Sequence, residues 1–146
     1  FFENLKDLEK FSKTNKFKIL VNMHLSNKES IKNLRKLFPN IIFVSKKIDK
    51  VLKQSFVTIS FSSSVIEDSL NSKIPVILFD KWKRYKHCDI NENNNHKPIF
   101  YVNNLEELKE KIELIKKNSV SLDFDTKIFG KDIKSNVFQL FESLGN

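Results

Sequence analysis

Apolar residues recur along this chain at two spacings, one typical of helices and the other of buried strands. Phe1, Leu5, Leu8 and Phe11 are three or four residues apart, which predicts an opening helix followed by a polar turn over 12–16. Five short and nearly continuous apolar runs predict strands covered on both faces. These runs span 17–24, 41–44, 56–61, 75–79 and 98–102.

Helical patterns separate most of these runs. They span 28–38, 46–54, 65–71 and a stretch from Leu105 to beyond Ile115, with Asn103 or Asn104 as its N-cap. The segment 80–97 is polar and rich in Asn, which predicts a long loop of functional interest. A second loop is expected over 119–131, before a closing helix over 133–144.

The alternation of strands and helices predicts an α/β fold, in which a doubly wound, Rossmann-like parallel sheet of about five strands carries helices on both faces. We expect residues 1–146 to form a single domain. Ligands of such sheets bind at the carboxyl ends of the strands. The positions to search are therefore 24–27, 45–47, 62–64, 80–84 and 103–104.

Composition narrows the function classes. No apolar run approaches the roughly 20 residues of a membrane span, so we expect a soluble protein. Cys88 is the single cysteine, which fits a reducing cytoplasm and excludes an internal disulfide. The net charge of +8 suggests nucleic-acid binding as one function to consider. The basic residues are interspersed with acidic ones, however, and AT-rich codon bias explains the abundant Lys and Asn. No nucleic-acid partner is expected.

A hydroxyl-rich turn, Ser62, Ser63 and Ser64, precedes the predicted helix over 65–71. Backbone N–H groups and hydroxyls at a helix start favour an anion. The alternative is a simple helix cap, with Ser64 and Glu67 forming a capping box. His24, at the end of the first predicted strand, can donate a hydrogen bond to the same anion, or be an ordinary strand-end histidine. Together these residues predict a phosphate site.

The long loop opens with a basic and aromatic cluster that includes Lys81, Trp82 and Arg84. An aromatic ring can stack on a base or sugar, and a cation can neutralise a diphosphate or a sugar carboxylate. The alternative is a solvated loop with Trp82 packed against the core. His87, Cys88 and His96 lack the spacing of a metal site, so no metal is expected.

Two segments resemble the carboxyl-terminal domain of GT-B-fold glycosyltransferases. Lys18-Ile-Leu-Val-Asn-Met-His24-Leu25 resembles the family's strand ending in His-Pro, with Leu25 in place of proline. The stretch from Val57 through Ser62-Ser63-Ser64 and Glu67 to Pro75 resembles the Ser-Ser segment, without a glycine in its turn. The similarity extends from Phe17 to Ile115. It is strongest to bacterial sialyltransferases, Kdo and capsule-polysaccharide transferases, and CDP-glycerol glycerophosphotransferases.

The resemblance implies a nucleotide-sugar donor as ligand, linked to CMP, CDP or UDP, and no cofactor. His24 would contact the donor phosphate, Ser62 and Ser63 would hold phosphate oxygens or the nucleotide, and Glu67 would accept hydrogen bonds from ribose. The catalytic base of the family usually lies in the amino-terminal domain, so no catalytic residue is expected here. Because the sequence begins at Phe1 without Met, we expect a fragment lacking that acceptor domain, its natural partner.

The resemblance implies a role in surface polysaccharide or glycan biosynthesis in the cytoplasm. The full-length enzyme could also associate peripherally with the inner face of the membrane. One rival is half of a sugar-nucleotide 2-epimerase, since the serine segment also resembles the Ser-Gly-Gly-x-x-Glu-Glu stretch of UDP-N-acetylglucosamine 2-epimerases. A non-catalytic nucleotide-binding or regulatory module is another. A receiver domain is disfavoured because no acidic cluster follows the first strand.

Overall fold

The computed structural model describes residues 2–23, 28–60, 65–83, 97–118 and 122–124. The chain divides between Gln54 and Ser55 into two compact units, called unit 1 and unit 2 below. Helices and strands alternate through both units as far as the fourth strand. Each unit is therefore described by itself.

Among its described residues, unit 1 contains two parallel strands and three helices. Ile19 pairs with Ile41 and Asn22 with Val44. The elements are α1 (Phe2–Asn15), β1 (Ile19–Asn22), α2 (Lys28–Leu37), β2 (Ile41–Val44) and α3 (Ile48–Leu52).

One face of the β1–β2 sheet forms the core of unit 1. Ile41 and Phe43 point to this face, where Phe38 of the α2 end lies 6.3 Å from the Phe43 ring. Leu5, Leu8 and Phe11 of α1 are also buried. Ile42 alternates to the opposite face and is 46% exposed. The prediction that every strand is buried on both faces is therefore wrong for β2, because the apolar run reflects one buried face and one partly open face.

Helix α1 is longer than predicted, and the turn expected over 12–16 is shorter. Ser12 belongs to the helix and is buried, with its Oγ donating to the Phe17 carbonyl at 2.6 Å. Lys16, at φ 57°, ends the helix in the left-handed region. A polar side chain thus lies on the buried face because it has a backbone partner there.

The described part of unit 2 contains three parallel strands in the order β3, β4, β5. Thr58, Val76 and Ile99 form one row across the sheet, and Ser60, Leu78 and Tyr101 form the row two residues further along. The elements are β3 (Thr58–Ser60), α4 (Val65–Asn71), β4 (Val76–Phe79), β5 (Ile99–Val102) and α5 (Leu105–Asn118).

Helices cover both faces of the unit 2 sheet. Ile66 and Leu70 of α4 pack against the face that carries Val76 and Leu78. Phe100 lies on the other face, where Lys111 of α5 places its Nζ 5.7 Å from the ring centroid. All four β4 side chains are buried as a result, as predicted for a strand between two helical layers.

The α/β class with parallel strands is confirmed. The described strands form two sheets, of two and three strands. The predicted loop 119–131, apart from 122–124, and the closing helix 133–144 lie outside the described residues, as does 84–96 of the long loop. No helix in the described part of the chain combines the length and the apolar character needed to cross a bilayer.

Candidate functional site

The carboxyl ends of the unit 2 strands bring polar side chains to the sheet face that α4 covers. Ser60, Leu78 and Tyr101 share one row of the sheet, and paired residues of parallel strands point to the same face. Asp80 follows Leu78 by two residues and belongs to the same face. The Tyr101 hydroxyl confirms this placement by donating to Asp80 Oδ2 at 2.5 Å.

Asp80 makes several hydrogen bonds although it follows the last residue of β4. Its backbone N–H donates to the Val102 carbonyl at 2.9 Å, which continues the β4–β5 ladder by one residue. Its carbonyl accepts from the Lys83 N–H at 3.1 Å and closes a tight turn, in which Lys83 has a φ of 54°. The side chain is only 6% exposed. A buried carboxylate is therefore oriented by both backbone and side-chain bonds.

Two buried polar atoms, one at the end of β3 and one just after β5, have no hydrogen-bond partner among the described residues. They are Ser60 Oγ, in a residue that is 5% exposed, and Asn103 Oδ1. Extending the β4–β5 register by one residue places Asn103 beside Asp80. We call Ser60, Asp80, Tyr101 and Asn103 the strand-end cluster.

Side chains from the start of α5 accept hydrogen bonds from backbone N–H groups there. Asn104 Oδ1 accepts from the Glu107 N–H at 2.9 Å, and Glu107 Oε2 accepts from the Asn103 N–H at 2.8 Å. This arrangement resembles a capping box whose carboxylate reaches the residue before the cap, and it selects Asn104 from the two predicted caps. A carboxylate at the helix start also disfavours an anionic ligand there.

Two of the predicted site residues can be placed. Glu67 lies in the first turn of α4 and is half-buried. Lys81 is exposed, and its Nζ lies 5.7 Å from the Trp82 ring centroid. Trp82 itself is 41% exposed, so part of its surface lies against other residues and part is open. Its ring is accessible at the edge of the long loop.

The other predicted site residues, His24, Ser62, Ser63, Ser64 and Arg84, lie outside the described residues. The proximity of His24 to the serine turn therefore stays a prediction. His87, Cys88 and His96 also lie outside. Within the described ranges, no cluster of three His, Cys, Asp or Glu side chains is arranged to hold a metal ion.

At the carboxyl ends of the unit 1 strands, the Asn22 side chain is hydrogen-bonded to the backbone after β2. Asn22 Oδ1 accepts from the Lys46 N–H at 3.1 Å, while its Nδ2 donates to the Lys46 carbonyl at 3.0 Å. The Met23 N–H donates to the Val44 carbonyl at 2.8 Å. Ser45 Oγ, which follows β2, and Asn4 Oδ1 of α1 are also buried without a hydrogen-bond partner among the described residues.

The sequence selects Asp80 and Asn103 as strand-end positions but assigns them no binding role, with Asn103 named only as one of two possible helix caps, and it does not find Ser60 or Tyr101. Both of these lie inside apolar runs, where polar residues look like ordinary strand positions. The alternation of side chains along a strand is the signal that could have identified Ser60 and Tyr101. Tyr101 is two residues before Asn103, so the two share a face.

Comparisons with family models, with curated proteins and with solved structures returned no match for this sequence. The class that the fold defines is thus an α/β protein with parallel strands, and its ligand has to be inferred from the site itself.

Proposed function

We propose that this chain is the donor-binding part of a glycosyltransferase and binds a nucleotide sugar at the carboxyl ends of the strands. The observation that carries the proposal is the β3–α4–β4 unit. β3 ends at Ser60, α4 begins at Val65 and β4 begins at Val76, so Ser62–Ser64 connect a strand end to a helix start. This order agrees with the strand, serine turn, helix and Pro-strand pattern of the GT-B resemblance.

Each proposed contact follows from the chemistry of the side chain. Ser62, Ser63 and Ser64 would bind phosphate through hydroxyls and N–H groups, with His24 as a further donor. Glu67, near the start of α4, would accept hydrogen bonds from the ribose hydroxyls. Lys81 and Arg84 would neutralise the diphosphate or a sugar carboxylate. The finer fold that this requires is a single doubly wound sheet including β1 and β2, which would bring His24 toward the serine turn.

The proposed chemistry is stabilisation of the leaving nucleotide by preorganised donors. The catalytic base would come from an amino-terminal acceptor domain, so this chain alone should bind donor without transferring the sugar. The proposed setting is polysaccharide or glycan biosynthesis in the cytoplasm, at the inner face of the membrane in the full-length enzyme.

Titration with CMP, CDP and UDP, followed by NMR or thermal shift, tests the proposal. We expect saturable binding that prefers one nucleotide, and a loss of at least about tenfold in Ser63→Ala, the effect of one hydrogen bond to a charged group. His24→Ala should weaken the same binding. Ser72→Ala is the matched control, because Ser72 is an exposed serine just after α4.

Unchanged affinity in both site variants would reject this phosphate site. Equal, salt-sensitive binding of any polyanion would instead indicate a nucleic-acid-binding protein. Conversion of UDP-N-acetylglucosamine to its 2-epimer by the full-length protein would favour the epimerase alternative.

A further inference from the structure

We propose that a groove between α1 and the end of α2 in unit 1 is a docking surface for an anionic lipid bilayer. The groove has a volume of about 420 Å³ and is lined by Phe2, Leu37 and Phe38 together with lysines of α1. We call it the α1–α2 groove. The inference goes beyond nucleotide binding, because it concerns a different surface and uses none of the residues of the proposed nucleotide site.

The apolar side chains of the groove are open to solvent. Leu37 is 63% exposed and Phe2 is 54% exposed, which are the two highest values among the large apolar side chains of the described residues. Phe38 is buried, and its ring centroid lies 6.3 Å from that of Phe2. Exposed apolar side chains that gather in one place mark an interaction site, whereas scattered single ones do not. Phe2 and Leu37 can therefore enter an apolar layer while Phe38 keeps its place in the core.

Three exposed lysines line the same groove. Lys6, Lys10 and Lys13 follow one another at spacings of four and three residues, and Phe2 precedes Lys6 by four. Residues at these spacings share one side of a helix, so α1 presents its lysines beside the Phe2 ring. Apolar side chains with a cationic rim are what an anionic bilayer surface attracts, through insertion of the former and charge on the latter.

The acidic residues of α1 do not cancel this charge. Among the described residues that line the groove, only Glu9 is acidic, and three lysines against one glutamate leave a net charge of +2. The Glu9 carboxylate accepts hydrogen bonds from the backbone N–H and the side-chain amide of Asn40. Glu3 and Asp7 belong to α1 but do not line the groove. The surface is therefore complementary to negative charge.

The chemistry of the lining favours a bilayer over a protein partner. A specific protein interface carries about one directional hydrogen bond per 100–200 Å², but the described lining offers neither an amide nor a hydroxyl side chain. Its one carboxylate, on Glu9, is already bonded to Asn40. Lysine is a compact charge on a flexible apolar stem, so it can follow mobile phosphate headgroups without a fixed geometry. Fluid lipid therefore matches this surface better than a folded partner does.

Co-sedimentation with large unilamellar vesicles tests the proposal. The vesicles contain either phosphatidylcholine alone or equal parts of phosphatidylcholine and phosphatidylglycerol. The chain should bind the anionic vesicles more tightly, and added NaCl should weaken the binding. Changing Lys6, Lys10 and Lys13 together to Gln should lower the partition coefficient about fivefold per lysine, on the order of a hundredfold in all. Phe2→Ser and Leu37→Ser should each lower it about tenfold, because inserted apolar surface is lost.

Two matched controls separate the groove from the general basicity of the chain. Lys73, Lys109 and Lys117 are exposed lysines of unit 2, and changing all three to Gln removes the same charge. Phe56 is 49% exposed and does not line the groove, so Phe56→Ser matches Phe2→Ser. Both controls should change the partition coefficient by less than about twofold, because the substituted side chains lie outside the contact. Far-UV circular dichroism verifies that each variant is folded.

Three results would overturn the bilayer surface. They are a failure of the unmodified chain to bind the anionic vesicles, an equal loss in the groove variants and their controls, and no loss in the groove variants. A concentration-dependent dimer that Leu37→Ser dissociates, without vesicle binding, would assign the groove to a second copy of the chain instead. The nucleotide titration is independent of these results, so failure of either proposal is distinguishable from failure of the other.

Discussion

The two parallel sheets of this protein differ in how their faces and their carboxyl ends are used. In unit 2, all of β4 is buried, a buried carboxylate follows it, and β3 and the residue after β5 each carry a buried polar atom without a partner among the described residues. In unit 1, Ile42 is 46% exposed and Asn22 closes the edge with two hydrogen bonds to the Lys46 backbone. The comparison teaches that similar apolar strands can be partly open in one unit and can carry buried polar side chains at their ends in another.

The largest expected effect tests the difference in strand burial. Ile77→Ala in β4 removes a side chain that is 0% exposed and should lower the free energy of unfolding by about 2–5 kcal/mol. Ile42→Ala is the matched change in β2 and should cost less than about 1 kcal/mol. Urea unfolding followed by far-UV circular dichroism and by Trp82 fluorescence measures both. Equal losses would contradict the difference in burial between the sheets.

A second experiment compares the two strand edges. Tyr101→Phe removes a hydroxyl donor from buried Asp80 and should cost about 1.5–3 kcal/mol, the range for hydrogen bonds to charged groups. Asn22→Ala removes exposed bonds to the Lys46 backbone and should cost about 1 kcal/mol. Trp82 is the single tryptophan and belongs to unit 2, so its fluorescence reports the first variant. A smaller loss for Tyr101→Phe than for Asn22→Ala would reverse the comparison.

A third experiment sharpens the comparison within unit 2 by separating structural from orphan polar atoms. Asn104→Ala should cost about 1 kcal/mol because it removes the N-cap of α5. Asn103→Ala should be neutral or slightly stabilising, since it removes a buried acceptor that lacks a partner in the described chain. Denaturation midpoints of the two variants provide the measurement. Comparable destabilisation would mean that Asn103 has a structural partner, such as a buried water.

The smallest effect concerns the exposed edge next to the strand-end cluster. Lys81→Gln removes the cation beside Trp82 and should change the free energy of unfolding by less than about 0.5 kcal/mol, as expected for an exposed cation–π pair. The Trp82 emission spectrum should shift even so, because the charge near the ring is lost. A loss above 1 kcal/mol would show that the turn after β4 depends on this lysine.

The sequence by itself determined the α/β class and most element positions. Apolar runs and stop residues such as Pro39 locate the elements, because burial and backbone geometry leave a local imprint on the sequence. β2 and α4 coincide with their predicted ranges, and the four-residue error at the end of α1 arose because Ser12 is polar yet has buried backbone partners. The predicted role of Glu67 stays a prediction, although its place at the start of α4 is as expected.

Only the tertiary structure decided which faces are covered and which polar residues meet. An apolar strand looks the same in sequence whether one face or both are buried, so Ile42 and Ile77 could not be told apart. Asp80 and Tyr101 are separated by 21 positions, and their hydrogen bond depends on the register of β4 with β5. Register arises from packing between distant segments, and for that reason the strand-end cluster is visible only in three dimensions.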